Sequence, residues 1–161
     1  MASTTGNGAT EFFPPRTQPT QAQIDANMGK VLALQSTART QHGKRPFAAI
    51  LVGPDHESVL LMHQSVSHVE HAESSLARLS SLHFSQGYLW RLIYGASNEE
   101  LYKLTGPKNK ENFTMKWNCR EIIAGGQKDV DVVGPLTGTW EEKVVEDADG
   151  YWSIVRKRMD Q

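Results

Sequence analysis

The sequence contains a single cysteine, Cys119, among its 161 residues. One thiol excludes a disulfide within the chain, and it excludes a metal site built from two or more cysteines of the same chain. A lone cysteine is most often a small buried hydrophobic residue. We therefore expect Cys119 to pack inside the domain rather than to bind a metal, although a weakly supported site could also join it to His68 and His71.

The sequence also lacks long apolar runs and an excess of charge of either sign. No stretch of 18 consecutive apolar residues occurs, and the N-terminus has neither the basic nor the apolar segment of a secretory signal. The 17 basic residues are balanced by 18 acidic ones, for a net charge of -1. Nucleic-acid binding is unlikely on this balance because such proteins usually carry clustered positive charge. We expect a cytoplasmic protein without a membrane segment, with small-molecule or protein partners.

Segment patterns predict one α/β domain preceded by a flexible arm. Residues 1–19 are rich in Thr, Gly and Pro and form the predicted arm, and residues 20–161 form the domain. Helices are expected at 20–39, at 69–84, directly after Ser97 and at 118–124. Strands are expected at 46–53, 58–66, 89–95 and 129–136. The order predicts a three-layer α/β/α arrangement with helices on both faces of a mixed sheet.

Three further expectations concern local structure and packing. Thr20 and Gln23 have the spacing of a capping box, which places the start of the first helix. The charged segment from Trp140 to Gln161 is a weakly specified terminal element, which we interpret as a solvated face. The aromatic residues inside predicted elements are expected to pack in the core rather than to stack on bases. They are Trp90, Tyr94, Trp117 and Trp152.

The most informative motif is the triplet from His71 to Glu73, at the start of a predicted helix and after a predicted hairpin. In zinc deaminases an imidazole and two thiolates hold the metal, and a glutamate that is not a ligand moves the proton. The two side chains could supply the ligand and the proton shuttle. An ordinary solvated helix N-terminus would also account for them, because the helix dipole favours Glu73 there and His71 would be a surface residue.

Four segments make the interpretation more specific. RPFAAILVGP, VEHAESSLARL, RLIYGASNEEL and NCREIIAGGQKDVDVVGPL follow one another in this order. Together they resemble the guanine deaminase and cytosine deaminase branch of the cytidine deaminase superfamily, which also includes the tRNA adenosine deaminases. The resemblance implies a cytidine deaminase-like fold, dimers, zinc as the metal of the intact family, His71 as its histidine ligand and Glu73 as its catalytic glutamate.

The chain departs from this family between Trp90 and Arg91. The family has a strand, a Pro-Cys-x-x-Cys turn and a helix there, and this sequence has none of them. One internal deletion describes the junction best, and a splice product, a missed exon or an engineered deletion would each produce it. We therefore expect the fold to lack one central strand and helix, and the chain not to retain zinc. Gln64 stands near the position of the family's base-contacting asparagine, which makes it a weaker candidate for substrate binding.

These observations predict a nucleobase or nucleoside deaminase relative that is catalytically impaired, with guanine as the favoured base. Two alternatives stay open. The chain could be a non-catalytic dimerisation or regulatory partner of an intact deaminase. It would then form a heterodimer with an intact paralogue, or it could form a homodimer with a second copy of itself. It could also be a nucleobase-binding module without chemistry.

Overall fold

The structure, a computed structural model, describes residues 16–67, 71–84, 89–106, 119–127 and 129–159. Helices and strands of the described residues follow in the order α1 (Gln21–Thr40), β1 (Ala48–Val52), β2 (Val59–Gln64), α2 (Ala72–His83), β3 (Arg91–Ile93), α3 (Asn98–Thr105), α4 (Cys119–Ala124), β4 (Asp131–Val133) and α5 (Thr139–Met159). The chain is therefore a mixed α/β protein, as predicted. None of these helices combines the length and apolar character needed to cross a bilayer.

The predicted capping box at the start of α1 is confirmed. The Thr20 side chain accepts a hydrogen bond from the Gln23 backbone N–H at 3.2 Å, and the Thr20 backbone N–H donates to Gln23 Oε1 at 3.0 Å. Both bonds satisfy donors that a helix start would otherwise leave unpaired. The first helix consequently begins where the sequence indicates.

Strands β1 and β2 form an antiparallel hairpin in which Ile50 lies opposite Met62. Its turn is closed by the Gly53 N–H, which donates to the Ser58 carbonyl at 2.8 Å, and by the Asp55 carboxylate, which accepts from the backbone N–H groups of Glu57 and Ser58. Aspartate favours such turns because its side chain can satisfy backbone donors a few residues ahead. Helices α1 and α2 both pack against the hairpin.

Strands β3 and β4 form a second, parallel pair, with Arg91 opposite Asp131. Both pairing modes of a mixed sheet are present, but in the described residues they lie in two separate two-stranded sheets. Strand β4 is shorter than the predicted segment 129–136 because Gly134 and Pro135 follow it, and proline has no N–H to donate to a neighbouring strand.

The C-terminal segment, weakly specified in the sequence, is a regular helix in the structure. Residues 139–159 form the 21-residue helix α5, and Ala148, Trp152 and Val155 on this helix are the buried core cluster. These positions follow the helical i, i+4, i+7 spacing, so one apolar stripe faces inward while charged residues cover the rest of the helix. Neighbouring charges had concealed this narrow stripe in the sequence.

Of the aromatic predictions, that for Trp152 is confirmed, because its side chain is fully buried. The ring packs against Tyr151, with centroids 5.0 Å apart in an edge-on arrangement, and against Phe47. Trp90 and Tyr94 are only half-buried. Trp117 lies outside the described residues.

Candidate functional site

His71 and Glu73 lie side by side at the start of α2. His71 is the N-cap residue of the helix, and its Nδ1 atom is 3.5 Å from Glu73 Oε1. The two side chains are 47% and 63% exposed. The structure therefore brings the two sequence candidates together on an open surface, where an imidazole and a carboxylate could exchange a proton with a bound molecule.

The fold of α2 accounts for this placement. The first two turns of α2 pack against the β1–β2 hairpin, and their buried residues are Ala72, Ser75 and Leu76. The His71 carbonyl accepts the first helical hydrogen bond, from the Ser75 N–H at 3.0 Å. Glu73 lies in the first turn, where the helix dipole favours a negative charge. The exposed pair is thus fixed by a well-packed helix beneath it.

Cys119 was predicted to be buried but is only half-buried, as the first residue of α4. Burial raises the pKa of the Cys119 thiol above its ordinary value, and the negative charge of Glu73 acts in the same direction. The Arg120 charge and backbone hydrogen bonds oppose this shift. The net effect is a thiol that is less acidic than usual, whereas reactive cysteines are those whose pKa is lowered.

Gln64, the candidate for substrate binding, is the last residue of β2. Its Oε1 atom lies 3.0 Å from Nδ1 of His42, just after α1. The side chain therefore bonds toward α1 rather than toward Glu73. The structure brings together the metal and catalytic candidates but does not place Gln64 in contact with Glu73.

The donors near Glu73 do not match a tetrahedral zinc site. Within the described ranges, no three His, Cys, Asp or Glu side chains come close enough together to hold a metal ion. His68 lies outside the described residues. Among the described residues, the donors at this site are one imidazole and one carboxylate, fewer than the three protein ligands of a catalytic zinc site.

Sequence reasoning missed a cleft between the N-terminal halves of α1 and α5. The cleft has a volume of about 450 Å³ and contains Asp25, Trp140 and Lys143. Trp140 Nε1 donates to Asp25 Oδ1 at 2.6 Å, and this bond is the largest cause that lowers the pKa of Asp25. Lys143 Nζ lies 4.7 Å from the Trp140 ring centroid. The spacing of Trp140 and Lys143 on one helix was visible in the sequence, but their distant partner was not.

Comparisons of the chain with protein-family models, with curated proteins and with solved structures found no significant match.

Proposed function

We propose that this chain is a nucleobase deaminase-like domain, with guanine as the favoured base, that does not catalyse metal-dependent deamination. The observation that carries the proposal is the position of His71 and Glu73. They are 3.5 Å apart at the N-terminus of the helix that follows an antiparallel hairpin. This is the order of elements and residues in which the zinc deaminases present their histidine ligand and catalytic glutamate.

The separation of the two sheets supports the proposed loss of a central strand. The family's missing strand would lie between Trp90 and Arg91 in the sequence. In the described part of the chain, β1–β2 and β3–β4 share no hydrogen-bonded strand. Removing the middle strand of a sheet would leave two such fragments, each with an open edge. We therefore propose for this chain a cytidine deaminase-like arrangement that lacks one central strand and helix.

The donor set supports the proposed loss of activity. In this mechanism the metal lowers the pKa of a bound water, and the glutamate moves the proton of that water. Zinc would supply that water activation when bound. Here Glu73 has one imidazole beside it, so the two residues can position a proton. The chain has a single cysteine and cannot supply the two thiolates of the family's metal site.

Zinc content and ammonia release test this proposal together. We expect essentially no zinc per chain after purification without chelators, and no ammonia from guanine above the level of an E73A variant. About one zinc per chain retained on dialysis, with ammonia release that depends on Glu73, would show that the chain is an active deaminase. Elemental analysis and an ammonia assay on one monodisperse fraction give both numbers.

Restoring the missing segment tests the proposed ancestry separately from the loss. A strand, a Pro-Cys-x-x-Cys turn and a helix from an intact guanine deaminase would be inserted between Trp90 and Arg91. We expect this variant to bind about one zinc, as a three-ligand catalytic site does, and to lose it on H71A substitution. An insertion with both cysteines changed to serine is the matched control. Zinc binding that does not need His71 would contradict the assignment of that residue.

Exposed apolar side chains favour a second function, as a binding partner of an intact deaminase subunit. Large apolar residues are more than 40% exposed at several places in the described chain, namely Met62, Val66, Leu82, Tyr102, Ile122, Ile154 and Met159. Single exposed apolar side chains are normal on a folded protein, and a contiguous patch marks an interaction site, so this function requires several of them to share one face. Co-purification with an intact guanine deaminase would support this function, and separate elution of the two chains at micromolar concentration would reject it. Guanine binding in the absence of a partner would instead indicate a base-binding module.

A further inference from the structure

Residues 16–19, here named the strap, contact both sheets. Arg16 Nη1 donates to Oδ2 of Asp129, a residue just before β4, at 2.9 Å. Thr17 Oγ1 lies 2.8 Å from Nε2 of His56, in the turn between β1 and β2. Two consecutive residues therefore reach two sheets that share no hydrogen-bonded strand among the described residues.

The contact at the second sheet is electrostatic. The Arg16 guanidinium lies 6.0 Å from the ring centroid of Trp90, and the Arg91 guanidinium lies 4.5 Å from the same centroid. Arg91 also donates through Nε to Asp131 Oδ2 at 2.8 Å. Each arginine is thus paired with an aspartate, Arg16 with Asp129 just before β4 and Arg91 with Asp131 at the start of β4. Both guanidinium groups are within the range of a cation–π interaction with one indole.

The hairpin turn that Thr17 contacts is held by additional hydrogen bonds, whereas the Arg16–Asp129 pair at the second sheet is exposed to solvent. Helix α1 already holds this turn, because Asn27 Nδ2 donates to the His56 carbonyl at 2.7 Å and Lys30 Nζ donates to the Glu57 carbonyl at 2.8 Å. By contrast, the side chains of Arg16 and Asp129 are 50% and 88% exposed. Salt screens such an exposed pair, and its net contribution is small.

We propose that the strap is a salt-sensitive device that holds the β3–β4 sheet to the turn of the hairpin. It releases at the Arg16–Asp129 end, because that end is exposed, and stays anchored at Thr17 and α1. Release frees the β3–β4 pair to open while the hairpin stays folded. This inference does not depend on the proposed deaminase function.

Cleavage by trypsin after Arg16 reports on the state of the strap. A D129N substitution should raise the rate of this cleavage by roughly two- to fivefold, the range that corresponds to an exposed ion pair. Raising the salt concentration should speed cleavage of the unmodified chain but not of D129N, after correction by a reference peptide. D149N is the matched control, because Asp149 pairs with Arg156 on α5. Equal cleavage of D129N and the unmodified chain would overturn the proposal.

Amide hydrogen exchange tests whether release is local. In D129N, we expect faster exchange in residues 91–93 and 131–133 and unchanged exchange in residues 48–52 and 59–64. A similar increase in both sheets would mean that the substitution loosens the whole domain, which would also overturn the proposal.

Discussion

Helix α5 and the start of α2 differ in two respects, namely whether their sequences carry a chemical motif and whether their side chains are buried. The start of α2 carries a motif with a chemical interpretation, and its two side chains are about half exposed. Helix α5 carries no chemical motif, yet it contains the buried cluster around Trp152. The residues with a candidate chemical role and the residues that form the buried core cluster therefore lie in different parts of this chain. Substitutions in the two regions should therefore have different consequences.

The largest expected effect is that of W152A. Trp152 is fully buried, so its removal leaves a cavity and should lower the free energy of unfolding by about 3–5 kcal/mol. The H71A variant, at the exposed start of α2, should change the free energy of unfolding by less than about 0.5 kcal/mol. Urea unfolding followed by circular dichroism measures both. Comparable losses in the two variants would remove the distinction between the regions.

A milder variant sharpens this test. Trp152 Nε1 is buried and has no hydrogen-bond partner within the described part of the chain. Phenylalanine keeps an aromatic ring but has no polar atom to leave unsatisfied. W152F should consequently be more stable than W152A.

The second effect concerns Gly134, in the segment that leads into α5. Its φ angle is 139°, and a Cβ atom there would lie 2.6 Å from the Tyr94 carbonyl oxygen. G134A should lower the free energy of unfolding by about 1–3 kcal/mol, because both the backbone and the close approach disfavour a side chain. Gly138 is the matched control. It also has a positive φ, of 80°, but a Cβ atom there would meet nothing within 4 Å.

G138A should therefore cost less than G134A when both are measured by thermal unfolding. Equal costs would mean that backbone conformation alone, and not the contact with Tyr94, makes Gly134 necessary. The passage into α5 would then be less closely packed than the structure indicates.

Local signals in the sequence were sufficient for much of the fold. The Thr20 capping box, the hairpin turn at Asp55 and the helix after Ser97 each depend on residues a few positions apart, and the structure has all three. Alternation of helices and strands also predicted the α/β class. Contacts between distant residues were less accessible. The sequence predicted that Trp152 is buried, but local spacing could not show that the cluster around it packs against Phe47 and Leu104.

The candidate site shows the same limit. The sequence could place His71 and Glu73 at one helix start because they are two residues apart. Residues i and i+2 within a helix do not face each other, so their 3.5 Å approach depends on the extended backbone of His71 as the N-cap residue. The bond between Gln64 and His42 and the influence of Glu73 on Cys119 could not be predicted, since they depend on how separate elements pack. The deaminase function and the loss of zinc stay predictions.

The smallest expected effect belongs to the hairpin that precedes α2, and it depends on pH. Hydrogen bonds from the Ser58 hydroxyl, which contribute most, and from the backbone N–H groups of Glu57 and Ser58 lower the pKa of Asp55 from 3.8 to about 2. A carboxyl group whose pKa is lower in the folded chain contributes its full stabilisation above its unfolded pKa. That stabilisation is lost as the pH falls toward the folded value. The Asp55 contribution should therefore disappear between about pH 4 and pH 2.

Carboxyl NMR titration of Asp55 measures this pKa directly. S58A should bring it closer to 3.8, because the largest cause of the shift is removed. The D55A variant should show a smaller loss of thermal stability than the unmodified chain over the same pH range. A carboxyl group that titrates near 3.8 in the folded chain would show that the turn is open in solution. The α2 region would then be loosely held as well as exposed, which would widen its contrast with the region packed around α5.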